Sequence, residues 1–384
     1  MILQTNVKLN FGLNVIRKRP DGYHDIETLF VPCDEFGDTL EVITGDDYSR
    51  TSASLFSRYG TSLDPEGLPA LGDTQPQRNE DGLRRGRTAP PELGGKLAQG
   101  ISEDGKLMIT IAREDGVDWE PLKDLCAKAY YLLDNDFHLP PVKIFLEKKA
   151  PVGAGLGGGS ADAAFTLKAL NELCALGLNN EKLSEYASRL GSDCAFFVWN
   201  RPMIGTGRGE ILEPFDIDLS GYVVKVLVPE GVSVSTAEAY RGIVPRDRSF
   251  ADAQDDKRAS QEEMVVVSSA KGKGATTAAT LGTLRGGTGA ERSEASGGVE
   301  RSETVVASLP LGAYNLKEVL RRPVEEWRGL VVNDFEATVF KAHPELAAIK
   351  QSLYDSGAVY AAMSGSGSAM FGIYKKQFLC LKPE

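Results

Sequence analysis

The chain has 384 residues, 42% of them hydrophobic, and a formal net charge of −11. That leaves room for two domains with ordinary cores. The acidic balance argues against a general binder of nucleic acid or membrane surfaces, both of which are anionic. Five cysteines without a C-x-x-C pair and three histidines not clustered with them offer neither a disulfide framework nor a zinc site. That usage suits a reducing cytoplasm. The first residues lack a basic region followed by an apolar core, and no apolar run is long enough to span a bilayer, so a cytoplasmic protein is expected.

In chain order, Val7, Leu9, Phe11, Leu13 and Val15 alternate with Lys8, Asn10, Gly12 and Asn14, which predicts a strand with Lys8 and Asn10 on one face. Taken alone, that polar pair reads as solvated surface. The turn Arg19-Pro20-Asp21-Gly22 places Tyr23 and His24 at a loop edge, where an aromatic face and an imidazole can meet a flat ring. Roughly 48–101 is rich in Gly, Pro, Ser and Arg without an apolar period, and is expected to be a largely disordered insert. Val142, Ile144 and Leu146 then alternate as a strand would.

The run Pro151-Val152-Gly153-Ala154-Gly155-Leu156-Gly157-Gly158-Gly159-Ser160-Ala161 follows, with five glycines in seven positions. Ala163, Leu167, Leu170 and Cys174 continue at helical spacing to a stop at Gly177. A strand, a glycine loop and a helix start make an anion site, because backbone amides and the positive helix end converge there. The loop is not a P-loop, since Gly158-Gly159-Ser160 stands where Gly-Lys-Ser/Thr is required. Gly153, Gly155 and Gly158 satisfy G-x-G-x-x-G, but the run lies deep in the chain, and Glu172 comes too early for the ribose-binding acid of a dinucleotide fold. A protein kinase is excluded by the lack of a His-Arg-Asp loop and by Asp334-Phe335-Glu336 in place of Asp-Phe-Gly.

Leu183, Ala187 and Leu190 mark a helix ending at Gly191, and Phe196 to Trp199 reads as an apolar strand. Asp193 lies in the junction, placed either to cap backbone amides or to act as a general base. Gly205-Thr206-Gly207-Arg208-Gly209-Glu210 forms a second flexible loop. Roughly 245–308 is expected to be a second disordered insert, rich in Ser, Ala, Gly and charge and carrying Glu-Arg-Ser-Glu twice. Leu346, Ile349 and Leu353 keep helical spacing; Val359–Ala362 and Ala369–Tyr374 read as strands joined by Ser364-Gly365-Ser366-Gly367-Ser368.

Together the Pro151–Ala164 run and the Ser364–Ser368 loop resemble the GHMP small-molecule kinases, the family of galactokinase, homoserine kinase and mevalonate kinase. The resemblance covers nearly all the chain except the inserts. It implies an α+β, two-domain fold: a ribosomal-protein-like N-terminal domain over 1–212 and a ferredoxin-like C-terminal domain over 213–384. ATP would be the co-substrate, bound by Pro151 to Ala161 and carrying Mg²⁺. Asp193 would take the proton of the acceptor hydroxyl, with Lys8 paired to it. Lys8-Leu9-Asn10, Asp21-Gly22-Tyr23-His24 and Gly191-Ser192-Asp193-Cys194-Ala195-Phe196-Phe197 point, within the family, to a small acceptor bearing a cytidine diphosphate group. Asn10 would hold that substrate, Tyr23 would stack on cytosine, His24 would hydrogen-bond it, and Tyr240 would form a second wall. Three positions depart from the family pattern: Cys194-Ala195 replaces Val-Pro, Asp124 stands where an asparagine lies near adenine, and Glu230 interrupts a Pro-Gly. A monomer or homodimer without nucleic-acid or membrane partners is expected. Two other readings stay open: a GHMP kinase with homoserine, mevalonate or a sugar as acceptor, and a catalytically silent nucleotide-binding protein.

Overall fold

A computed structural model describes residues 1–45, 95–246 and 315–376. Among these residues the strands form three sheets. The first has the order β1-β4-β7-β6-β5, built from β1 (Ile2–Gln4), β4 (Thr39–Thr44), β5 (Leu97–Ile101), β6 (Leu107–Arg113) and β7 (Val142–Lys148). Within it β6 and β7 are parallel, which requires a crossover, and helix α1 (Leu125–Phe137) supplies it. Helices α2 (Gly158–Leu173), α3 (Asn180–Leu190) and α4 (Cys194–Trp199) follow. Leu40, Ile109, Ile144 and Leu146 of the sheet share one core with Tyr130 and Leu133 of α1 and with Leu167 and Leu170 of α2.

The second sheet runs β2-β3-β8-β9, from β2 (Val7–Lys18), β3 (His24–Cys33), β8 (Met203–Thr206) and β9 (Ile211–Pro214). The third runs β10-β12-β11, from β10 (Tyr222–Leu227), β11 (Tyr360–Met363) and β12 (Met370–Lys375), with α5 (Thr236–Tyr240), α6 (Leu316–Leu320), α7 (Glu336–Ala342) and α8 (Pro344–Asp355) around it. Val7, Leu9 and Phe11 of β2 share a core with Tyr360, Phe371 and Ile373, so this strand is covered by the third sheet. Its outer edge is closed as well. Lys8 N donates to Leu156 O at 2.9 Å and Leu13 N to Val332 O at 2.9 Å. Amides paired in this way are not available to another chain.

Several expectations change here. Phe196 to Trp199 is the helix α4, not a strand. It is apolar all round because α2 and the Phe30 side of the second sheet enclose it, and a short buried run looks alike in either conformation. The insert placed at 48–101 ends earlier, since Leu97–Ile101 is β5, antiparallel to β6. That strand escapes composition because its contacts are small: Gly100 packs so close to Leu122 that an added Cβ would stand 2.9 Å away. The insert placed at 245–308 starts later than expected, because Arg246 N donates to Val15 O and its guanidinium pairs with Asp334. The remainder of both inserts lies outside the described residues. Among the described residues no helix is long and apolar enough to cross a membrane, and Cys33, Cys126, Cys174 and Cys194 are free.

Candidate active site

Helix α2 begins without a side-chain cap, its N-cap position being Gly157 at φ 75°. Helix geometry therefore leaves the amides of Gly158, Gly159 and Ser160 without intrahelical acceptors. Ahead of them Gly153 and Gly155 also hold positive φ, at 74° and 75°, so the loop bends tightly and its main chain lies open to an anion. The backbone of Ser364–Ser368 lies against this loop. An added Cβ on Gly155 would collide with Ser364 O and stand 2.9 Å from Gly367 N and O. Ala369 N donates to Ala154 O at 3.1 Å. The third glycine loop thus turns the β11–β12 hairpin and braces the first.

A buried ion cluster holds both ends of the phosphate-type loop. Asp38 Oδ1 accepts from the amides of Lys149 (2.5 Å) and Ala150 (2.7 Å), just before the loop. Lys148 Nζ bridges Asp38 and, at 2.6 Å, Asp162 Oδ2 in the second turn of α2. Thr5 Oγ1 donates to Asp162 Oδ1 at 3.2 Å. Lys148 keeps its proton despite its burial, beside Asp38 and Asp162. Complete burial, and secondarily the charge of Asp38, pushes the Asp162 carboxyl up to about 8. No sequence signal joined these residues, because Asp38 and Lys148 lie 110 positions apart; only Asp162, a lone acid in an otherwise small-residue stretch, offered a hint.

Lys8 and Asn10 are not surface residues: they are 3% and 2% exposed. Lys8 Nζ donates to Asn10 Oδ1 at 2.6 Å and to Gly155 O at 3.1 Å, and stands 3.3 Å from Asp193 Oδ2. Asn10 in turn donates to Thr28 Oγ1 at 3.0 Å. Asp193 precedes α4 but its carboxylate makes no capping bond, so of the two roles open to it from sequence, capping is not the one adopted. A buried ammonium thus joins a carboxylate to the main chain of the glycine loop, and Asn10 fixes the ammonium.

The aromatic residues group differently from the sequence order. His24 and Tyr240 stack with centroids 4.5 Å apart and planes 15° from parallel. Phe335 meets Tyr240 edge-on at 4.7 Å. Burial pushes the Tyr240 hydroxyl up to about 12, with a smaller push from the charge of Asp193, so the stack lies within electrostatic reach of that carboxylate. Burial, helped by Lys18, lowers His24 and favours its neutral ring. Tyr23 stands apart, 56% exposed, with Arg208 over its ring. Asp124 caps α1 through Cys126 N (2.8 Å) and accepts from Trp119 Nε1 (2.9 Å).

Sequence comparison sets this geometry among known proteins. Residues 124–201 match the GHMP kinases N terminal domain and residues 315–378 the GHMP kinases C terminal domain. A 4-diphosphocytidyl-2-C-methyl-D-erythritol kinase of Bacteroides fragilis is 35% identical over 98% of this chain and 93% of its own length. One of Parabacteroides distasonis is 34% identical over 98% and 92%. The chain belongs to the GHMP kinase family. A crystal structure of 4-(cytidine 5'-diphospho)-2C-methyl-D-erythritol kinase superposes with a TM-score of 0.51 at 23% identity, covering 97% of this chain and 89% of that one. A mevalonate kinase does so at 0.50 and 11% identity, covering 98% and 92%. These likenesses establish the shared fold.

As a GHMP kinase the chain is an ATP-dependent small-molecule kinase, and its uncapped α2 terminus presents backbone amides of the kind that suit an anion. Among the described residues no three His, Cys, Asp or Glu side chains gather as a metal site.

Proposed function

We propose that this kinase phosphorylates the 2-hydroxyl of 4-diphosphocytidyl-2-C-methyl-D-erythritol, using ATP, in the non-mevalonate route to isoprenoid precursors. The observation that carries the reading is the near full-length similarity to relatives bearing that kinase's name, at up to 35% identity. The contact between Lys8 and Asp193, and the aromatic side chains beside it, support the same reading. Asp193 accepts the proton of the acceptor hydroxyl as its oxygen attacks the γ-phosphorus. The bond from that phosphorus to the β–γ bridging oxygen breaks and ADP leaves. Lys8 neutralises charge developing on the attacking and equatorial oxygens, while Asn10 and Gly155 O hold its ammonium in place. The amides of Gly153 to Ser160 cradle the phosphates, and Pro151, Val152 and Ala161 frame that cradle. Phosphoryl transfer asks mainly for such positioning and charge stabilisation.

The cytosine ring is read by Tyr23, His24 and Tyr240. Because His24 and Tyr240 already stack on one another, their joint surface is preformed, and the exposed Tyr23 ring is the part free to close over a base. The test is ADP release with ATP and magnesium in parallel reactions containing the cytidine substrate, homoserine, mevalonate or galactose. Turnover confined to the cytidine substrate supports the proposal; turnover with another acceptor refutes the base-recognition reading and keeps the kinase.

A further inference from the structure

Between the aromatic residues and the catalytic carboxylate stands a side chain that neither group explains. The β8–β9 hairpin turns through Gly207, Arg208 and Gly209. Gly207 O accepts from Ile26 N at 2.7 Å, which ties the turn to β3 two residues beyond His24. On one side of Arg208, a Cβ built on Gly209 would lie 3.7 Å from Asp193 Oδ1. On the other, the guanidinium carbon is 5.1 Å from the Tyr23 ring centroid. Arg208 therefore stands on a turn whose next residue approaches the carboxylate assigned to the hydroxyl, while its own guanidinium lies over the ring assigned to the base.

The neighbouring arginines are already committed. Arg17 Nε lies 2.5 Å from Asp25 Oδ2, and Arg19 pairs with Asp21 at 3.0 Å and Asp25 at 3.1 Å. Arg208 is held more loosely. Its Nε is 3.5 Å from Glu210 Oε1, longer than the about 2.7–3.2 Å of a strong N–H···O bond. Glu210 instead fixes the turn itself, accepting from Arg208 N at 2.6 Å. A planar guanidinium over a ring, held by Glu210 only through a long contact and within electrostatic reach of Asp21, has the fork that recognises a diphosphate bidentately. A chain of net charge −11 needs such a local cation to admit an anionic acceptor.

We propose that Arg208 binds the diphosphate linking the nucleoside to the polyol, setting the distance between the base under Tyr23 and the hydroxyl at Asp193. This rests on the reading that the acceptor carries a cytidine diphosphate. Arg208 is then a specificity residue that selects nucleoside diphosphates over small acceptors such as homoserine or mevalonate.

The experiment is calorimetric binding of cytidine and of CDP to the intact chain, with the glycine loop first saturated by a non-hydrolysable ATP analogue so that CDP cannot enter there. Wild type is expected to bind CDP about tenfold or more tightly than cytidine, the gain of charge-assisted bonds. R208Q is expected to erase that ratio while leaving affinity for the ATP analogue unchanged. E210Q keeps an acceptor for the turn amide and frees the guanidinium, so it is expected to widen the ratio. An R208Q ratio equal to wild type, or an E210Q ratio that narrows, overturns the role of Arg208 while the acceptor reading stands. If wild type binds the ATP analogue but neither cytidine nor CDP, the acceptor reading itself falls and takes this one with it.

Discussion

Gly153 and Gly155 allow the bracing of one glycine loop by the other to be measured separately from backbone strain. Both hold φ near +75°, at 74° and 75°, so alanine at either position carries the same left-handed cost of about 1 kcal/mol. Around Gly153 an added Cβ meets only Ser233 Oγ, at an ordinary 3.8 Å. Around Gly155 it collides with Ser364 O and sits 2.9 Å from two backbone atoms of Gly367, none of which can rotate away. Contacts of that kind oblige the loops to part by roughly half an ångström or more, at an overpacking cost of about 1–3 kcal/mol. G153A should therefore lose about 1 kcal/mol and G155A about 2–4 kcal/mol. At about 2–4 °C per kcal/mol, G155A should melt several degrees below G153A. Because parting the loops also moves the carbonyl that Lys8 grips, G155A should raise KM for ATP about tenfold, an effect of about 1.4 kcal/mol. Scanning calorimetry and initial rates measure both. Equal melting temperatures for the two variants, with unchanged KM for ATP in G155A, would refute the bracing argument.

Other expectations concern individual side chains. Asp193→Asn should leave ATP binding intact and cut kcat by about 100-fold or more, the usual worth of a general base; undiminished turnover would remove Asp193 from proton transfer. Tyr23→Ala should weaken the cytidine substrate by about 1–3 kcal/mol and spare ATP, whereas equal weakening of both ligands would mark the ring as packing. Asp162 is raised to about 8 by burial, so the folded chain holds a proton that the unfolded chain gives up above the ordinary carboxylate value. Its contribution to stability is therefore present at low pH and lost as pH rises through about 8. The melting temperature of wild type should fall relative to that of D162N as pH rises over this window, and parallel curves would contradict the assignment.

The sequence made the local parts of this molecule legible and hid the long-range ones. A strand, five clustered glycines and a helical period are contiguous, so the strand, the glycine loop and the helix start could be read directly. Alternation in β2 correctly placed Lys8 and Asn10 on one face. It said nothing of what covers that face, because the covering groups, Gly155 and Ser364, lie 147 and 354 positions from their partners. The Asp38–Lys148–Asp162 cluster was unreadable for the same reason. Phe196–Trp199 misled because four consecutive apolar residues carry no period. Leu97–Ile101 misled because its packing uses Ala98 and Gly100, which lack the branched side chains that advertise a strand.

The meeting of Lys8, Gly155, Asp193 and Ser364 has a meaning for folding. Asn10 and Ser364 lie 354 positions apart, yet Ser364 Oγ accepts from Asn10 N at 3.3 Å, and only a residue without a Cβ fits at 155 against the Ser364 carbonyl. Contacts so far apart along the chain form slowly and late. Lys8 therefore gains its full surroundings only when the β11–β12 hairpin docks. A chain in which that hairpin has not docked leaves the glycine loop unbraced, so docking of two segments distant in sequence completes the surroundings of Lys8.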